Sequence, residues 1–142
     1  MTENGWTSAH LSEVEPFADL PDDLVAWIPL RHRLGVEAFG VNAWIARQAG
    51  EEFIAEHDEL NEDAADNHEE LYLVTEGNAT FTVDGNEIAA PAGTVVFVKD
   101  ARIVRKAVAN EPGTTVLAIG ATAGQAFTPS PWEQRHIERA AV

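Results

Sequence analysis

The sequence predicts an all-β fold, a β-barrel of jelly-roll type with short helices at its ends. Three observations support this prediction. The chain has 142 residues, about the length of one domain. Its middle is divided at short intervals by Gly and Pro, and the segments between them are rich in β-branched and aromatic residues. Because many short strands must hide their edges, closure into a barrel or sandwich is the natural arrangement.

The N-terminal segment, residues 1–34, is predicted to be an extension that precedes the barrel. Ser12 is followed three residues later by Glu15, the spacing of a capping box, so we expect a short helix to begin there. Pro16 and Pro21 interrupt the helical pattern soon afterwards.

The barrel core is predicted to occupy residues 35–121. Within it, Ala79, Phe81 and Val83 alternate with polar residues, which indicates a strand with one buried and one wet face. Asp84 and Gly85 are typical of the tight turn of a hairpin. The strands are predicted at residues 35–47, 71–75, 79–83, 94–98, 102–109 and 114–120.

The C-terminal segment, residues 122–142, is predicted to end in one helix. After Pro131, the residues Trp132, His136 and Ile137 recur at helical spacing. We detect no linker and no internal repeat, so residues 1–142 are interpreted as a single domain.

Composition excludes several function classes. With 24 acidic and 9 basic residues, the net charge of −15 repels phosphate backbones and anionic lipids, so neither nucleic acid nor a membrane is an expected partner. The absence of cysteine excludes disulfides, thiolate nucleophiles and cysteine zinc sites, which leaves His and carboxylates as metal ligands. The start MTENGWTS has no signal-peptide character, so we expect a cytoplasmic protein.

Two motifs resemble those of the cupins, a superfamily of small jelly-roll barrels. Glu70 is followed after six residues by Gly77, as in the second half of the first cupin motif. Gly85, Pro91 and Gly93 stand at the intervals with which the second motif begins. The resemblance covers roughly residues 40–120 and implies the cupin fold and a homodimer. Apolar surface offered by Trp6, Trp27 and Trp44 makes a dimer physically plausible.

The resemblance is incomplete at the metal ligands. Metal-binding cupins use two His and the Glu of the first motif and one His of the second. Counting from Gly50 puts Glu56 and Asp58 at the two first-motif His positions, and a slip of one residue puts His57 and Glu59 there. The second-motif His position falls on Val104 or, with slippage, on Arg105, so the fourth ligand is absent.

Four residues near the first motif remain candidate metal ligands: His57, Glu59, His68 and Glu70. Residues two apart on a strand point the same way, and imidazole with carboxylate could hold Zn, Fe or Mn. The alternative is that His57 and His68 flank an acidic solvent loop, residues 60–67, and bind nothing.

The strand predicted at residues 102–109 carries cations to the barrel mouth. If Val104 faces inward, Arg102 shares its face, whereas a slip of one residue turns Arg105 inward. Such an Arg suits a carboxylate or phosphate ligand because its guanidinium offers a bidentate fork. Alternatively, these cations pair with the acidic segment 51–70, which holds ten acidic residues and no basic one.

Trp44 and Tyr72 are candidate ligand-stacking residues, although aromatic residues at strand spacing also serve as core. Three functions are compared. A pocket for a small, anionic organic molecule is favoured, because a missing ligand harms a metal site more than a pocket. The alternative is a metal-dependent cupin enzyme, an oxygenase or isomerase acting on a small molecule. The third is a dimer without a ligand.

Overall fold

The computed structural model describes residues 5–17, 25–60 and 68–140, and these form an all-β fold, as the sequence predicts. The acidic loop expected at residues 60–67 lies almost entirely outside the described residues. The elements are a 3₁₀ helix Leu11–Glu13, β1 Val25–Ile28, α1 Leu30–Leu34, β2 Gly40–Ala46, β3 Glu52–His57, β4 Glu69–Glu76, β5 Asn78–Val83, β6 Asn86–Pro91, β7 Val95–Val98, β8 Arg105–Ala109, β9 Thr115–Ala121 and α2 Pro131–Ala140.

The described strands form two antiparallel sheets. The five-stranded sheet has the order β1-β2-β9-β4-β7, and the four-stranded sheet has the order β3-β8-β5-β6. The main core contains side chains of both sheets, among them Val74 and Val116 of the first and Phe81 and Ala107 of the second. The core therefore lies between two facing sheets, as in a jelly roll.

A second apolar cluster covers the outer face of the five-stranded sheet. Ile28 of β1 and Leu30 of α1 pack with Val41 and Ala43 of β2. The segment assigned to an N-terminal extension thus supplies an edge strand and a short helix to the sheet. Trp27 faces the opposite side of β1, where it pairs with Trp44 of β2. It is fully buried, which corrects the expectation that it offers surface to a partner. Trp6 does remain largely exposed.

The two ends of the chain differ in how closely they follow the prediction. At the N-terminus the helix is a single 3₁₀ turn, and its cap is His10, whose Nδ1 accepts from the Ser12 backbone N–H, so the capping box at Ser12 is wrong. The chain adopts an extended conformation from Val14 onwards, and the Phe17 backbone N–H donates to the Trp27 carbonyl. This hydrogen bond places the segment beside β1. At the C-terminus, α2 confirms the predicted helix, with Pro131 at its first position.

The predicted turn at Asp84 and Gly85 is confirmed. Both residues have positive φ, 51° and 77°, as a two-residue hairpin of type I′ requires. On β5, which precedes the turn, Ala79 and Phe81 are fully buried, so the alternation read from the sequence describes the real faces of this strand.

Strand β8 shows which of Val104 and Arg105 faces the interior of the fold. The strand begins at Arg105, not at residue 102, because Asp100 accepts from the Arg102 backbone N–H and holds the preceding residues in a turn. Arg105, Ala107 and Ala109 are all fully buried and share the inner face. Val104 is exposed.

The register of the five-stranded sheet positions the site. Trp44 of β2 pairs with Val116 of β9, which pairs with Val74 of β4, and Glu70 lies four residues before Val74. Because alternate residues of a strand point to the same face, Glu70, Tyr72 and Trp44 all lie on the inner face of the sheet. Within the described part of the chain, no helix is long and apolar enough to cross a membrane.

Candidate functional site

A cavity of about 820 Å³ opens on the inner face of the five-stranded sheet. Strands β2, β3, β4 and β9 line it, and residues between Phe127 and His136 form a further wall. Its volume is in the range of sites that enclose a small organic molecule. The cavity has a polar cluster on β3 and β4 and an aromatic wall on β2 and α2.

The polar cluster contains His57, Glu59 and Glu70, whose ligand atoms all lie within 4.8 Å of one another. The His57 Nε2 atom is 3.0 Å from Oε1 of Glu59 and 3.9 Å from Oε1 of Glu70. His57 ends β3 and Glu70 begins β4, while the Glu59 backbone N–H donates to the Ala101 carbonyl at 2.8 Å. Backbone contacts from two sheets thus bring the three side chains together.

Arg105 lies directly against this cluster. Its Nη1 atom is 3.5 Å from Oε1 of both Glu59 and Glu70, and its side chain is fully buried. Arg105 is the cross-strand partner of His57 in the β3–β8 pair, so the two side chains lie on the same face. Its Nε and Nη2 atoms have no hydrogen-bond partner among the described residues.

The orientation of His57 is set by a backbone contact. Its Nδ1 is 2.6 Å from the Ala55 carbonyl, which can only accept, so Nδ1 carries a hydrogen and Nε2 is directed at the carboxylates. Burial lowers the pKa of His57, but hydrogen bonds to Glu59 and Ala55 outweigh it and the pKa is raised. Burial raises the pKa of Glu59, but the His57 bond and the Arg105 charge leave it lowered.

Glu70 has the most perturbed carboxyl of the cluster. Burial, followed by the charge of Glu59, raises its pKa to about 7, although Tyr72, His57 and Arg105 act in the opposite direction. The Tyr72 hydroxyl donates a hydrogen bond to Oε1 of Glu70. Burial and the neighbouring Glu70 also raise the pKa of Tyr72. Tyr72 is almost fully buried, and it serves both as core and as lining of the cavity.

The donor set of the cluster fits a divalent metal ion. One imidazole nitrogen and two carboxylates are ligands that Zn, Fe and Mn accept. Ligating groups in metal sites are themselves hydrogen-bonded, and here Ala55 holds His57 while Tyr72 holds Glu70. His68, the fourth candidate, lines the same cavity but lies outside this group of three. Its ring packs against Phe127 with a centroid separation of 5.3 Å.

The two candidate arginines are in different environments. Neither arginine is among the described residues that line the cavity, but Arg105 contacts Glu59 and Glu70, which do line it. The side chain of Arg102 is 76% exposed, and its Nη2 atom lies 2.8 Å from Oδ2 of Asp100. Arg105 is the arginine that lies inside the fold. It contacts Glu59 and Glu70, so a cation of β8 also pairs with the acidic segment 51–70, as the alternative interpretation of the sequence predicts.

The α2 side of the aromatic wall was not predicted from the sequence. Trp44 of β2 was predicted to line the interior and does so, but Trp132 and His136 of α2 were assigned no role in the site, and they line the cavity beside it. The ring centroids of Trp44 and Trp132 are 5.8 Å apart. The amphipathic pattern of α2 was the available signal, but it does not reveal which sheet the helix covers.

Comparisons with known proteins identify the fold. No protein-family model matches the chain, and neither does any curated protein. Among solved structures, a sugar phosphate isomerase of the cupin superfamily from Silicibacter pomeroyi matches with a TM-score of 0.64 and 18% identity over 82% of this chain and 76% of that one. A predicted oxalate decarboxylase from Thermotoga maritima matches with a TM-score of 0.62 and 15% identity over 80% and 97% of the two chains.

A third similar structure is KdgF from Halomonas sp., with a TM-score of 0.59 and 13% identity over 78% of this chain and 86% of that one. Such neighbours include proteins described as cupins, so the chain has the cupin fold, as its two motifs predict. At these identities the likeness concerns the fold alone, and function must be argued from the site.

Proposed function

We propose that this cupin-fold protein binds a small organic acid in its cavity, at the polar cluster beside Arg105. The observation that carries the proposal is the fully buried guanidinium of Arg105, which has two nitrogen atoms without partners among the described residues. Arginine keeps its charge when buried, and two adjacent N–H donors match the two oxygens of a carboxylate. Arg105 lies behind Glu59 and Glu70, which line the cavity, so an incoming acid must displace one of these carboxylates to reach the donors.

Electrostatics explain why a buried cation is needed. The net charge of −15 repels an anion at long range, so only a local, desolvated charge can attract one. The pKa of Glu70 near 7 means that a substantial part of this carboxyl is neutral at neutral pH, which weakens the repulsion that an incoming acid meets. The substrates named for two similar structures, a sugar phosphate and oxalate, are anions and suggest the first probes.

The test compares Arg105→Met with Arg102→Met in a thermal-shift and calorimetric screen of small carboxylates and phosphates. Both variants lose one guanidinium and keep an aliphatic stem, but only Arg105 lies at the cluster. Charge-assisted hydrogen bonds contribute about 1.5–3 kcal/mol each, so Arg105→Met is expected to weaken binding about tenfold or more. Arg102→Met should bind as the parent does.

Either of two results would contradict this proposal. One is that no acid in the screen stabilises the parent protein. The other is that Arg105→Met binds an acid as tightly as Arg102→Met does.

A second candidate function, metal-dependent chemistry on a small molecule, is favoured by the orientation of His57. Its Nε2 atom is directed at two carboxylates, so a proton or a metal cation must lie between them. His57, Glu59 and Glu70 would hold the ion, and Arg105 would neutralise part of the carboxylate charge. When bound, a divalent ion supplies Lewis-acid chemistry, and a redox-active one such as Fe also supplies oxygenase chemistry.

Metal content of untagged protein distinguishes this candidate. We expect His57→Ala to lower the metal-to-protein ratio several-fold, because the imidazole is one of the three ligands. Glu56→Ala is the matched control, since Glu56 is exposed and occupies the alternative ligand position in the sequence. Equal metal content in both variants, or less than one tenth of an ion per chain in the parent, would exclude the metal site.

We also propose a homodimer. The edge strand β7 carries Val95 and Phe97 on one face, and more than half of each side chain is exposed. Burying such a patch against a second copy would stabilise a dimer. Light scattering that gives the 15.4 kDa mass of one chain at micromolar concentration would contradict it.

A further inference from the structure

We propose that the acid bound in the cavity carries a ring, and that Trp132, together with Trp44, binds this ring at the aromatic wall. The ligand class is therefore a ring-bearing organic acid. This inference rests on the proposed function, because it takes as given that the acid group binds beside Arg105.

Trp132 differs from its neighbouring tryptophan in exposure. Trp27, the neighbouring tryptophan, is fully buried, whereas Trp132 is 37% exposed and lines the cavity. An indole face open to a concave, partly apolar space offers stacking surface to a flat ring. Trp44 packs beside it with a centroid separation of 5.8 Å, and His136 packs on it at 4.3 Å. The part of this corner of rings that lines the cavity is the surface available to a ligand ring.

The corner is held in place by protein contacts before any ligand binds. Trp27 stacks on Trp44 at 6.0 Å and meets Trp132 edge-on at 4.7 Å, so a buried ring supports both indoles. The next residue of α2, Glu133, is almost fully buried and pairs with Arg31 of α1 at 3.1 Å. A wall that is fixed in this way loses little conformational entropy on binding, which favours affinity.

The aromatic wall and the polar cluster lie at a distance that selects the length of the ligand. Glu70 lies two strands from Trp44 and four residues further along the sheet. With the usual spacings this is roughly 10 Å across the strands and roughly 14 Å along them. An acid of two or three carbons at the polar cluster cannot reach the wall, so a ligand that uses both parts must carry its ring on an extended body.

Aryl acids and sugar acids both combine a flat-faced ring with an acid group. The experiment therefore measures three probes by calorimetry and by tryptophan fluorescence: 6-phenylhexanoate, a disaccharide that contains a uronic acid, and hexanoate, which has the same chain as the first probe and no ring. We expect one of the two ring-bearing acids to bind the parent about two- to tenfold more tightly than hexanoate, the range given by aromatic stacking.

Trp132→Leu should abolish this preference while binding hexanoate as the parent does, which also shows that the variant is folded. Trp6→Leu is the matched control, because Trp6 is an exposed tryptophan outside the cavity lining, and it should keep the preference. If Trp132→Leu does not fold, Trp132→Phe retains a smaller ring and should lower the preference in part.

The inference is overturned if neither ring-bearing acid binds more tightly than hexanoate, or if the preference survives in the Trp132 variant. In both cases binding of hexanoate leaves the proposed function standing. If none of the probes and no acid of the earlier screen binds the parent, the proposed function fails and this inference fails with it.

Discussion

Replacing Gly77 by alanine is expected to lower the free energy of unfolding by about 3 kcal/mol, the sum of a backbone and a packing effect. Gly77 has a φ of +80°, which L side chains rarely adopt, and a Cβ there would lie 2.5 Å from Oγ1 and 2.7 Å from Cα of Thr114. Thr114 cannot move aside easily, because it is fully buried and its hydroxyl donates to the Glu111 carbonyl at 2.7 Å.

Gly85→Ala is the matched control for this prediction. Gly85 has nearly the same φ, +77°, but no atom lies within 4 Å of the position its Cβ would take. Its cost should therefore be that of the backbone alone, about 1 kcal/mol. Guanidinium unfolding followed by tryptophan fluorescence measures both variants. Equal losses of stability would show that contact with Thr114 is not what requires glycine at residue 77.

Replacing Glu70 by glutamine is expected to make the stability of the metal-free protein less dependent on pH. In the folded protein the pKa of Glu70 is about 7, against an ordinary value of 4.5 in the unfolded chain. Between these values the folded state binds more protons than the unfolded state, so this carboxyl makes the free energy of unfolding fall as the pH rises. The effect is about 2.5 kcal/mol between pH 5 and pH 8, since one pKa unit corresponds to about 1.4 kcal/mol.

The pKa shifts of His57 and Glu59 also make the stability depend on pH. The raised pKa of His57 also removes stability as the pH rises through its folded value, whereas the lowered pKa of Glu59 removes stability as the pH falls through its own. The difference between Glu70→Gln and the parent contains the contribution of Glu70 and the loss of its effect on the pKa of His57, which acts in the same direction. It should favour the variant increasingly from pH 5 to pH 8.

Chemical unfolding in the presence of a chelator, at several pH values, gives this difference. Glu76→Gln, at the exposed end of the same strand, is the control and should follow the parent. A parent and a Glu70 variant whose profiles run parallel would show that Glu70 ionises with its ordinary pKa in the folded state.

Local sequence determined the fold class, because strand alternation and turn chemistry act over a few residues. The hairpin around Asp84 and Gly85 and the helix after Pro131 were predictable for this reason. The two cupin motifs then identified the fold that the structural neighbours share.

The candidate site was predictable only as a set of alternatives. Side chains on a strand alternate with a period of two, so one inserted residue exchanges the inner and outer faces. The β3–β8 pairing contains register shifts on both sides of Ile54, and these determine that His57, and not Glu56, lies opposite Arg105. Such irregularities depend on the partner strand and leave no local pattern in the sequence.

The sequence by itself thus determined an acidic, cysteine-free, all-β chain with cupin motifs and a short list of candidate ligands. Only the tertiary structure decided that Arg105 rather than Arg102 faces the cluster, and that α2 brings Trp132 to the wall of the cavity. The Arg31–Glu133 pair that holds α2 joins residues 102 positions apart. The physical reason is that contacts over such separations depend on how sheets and helices pack, which neither propensity nor periodicity specifies.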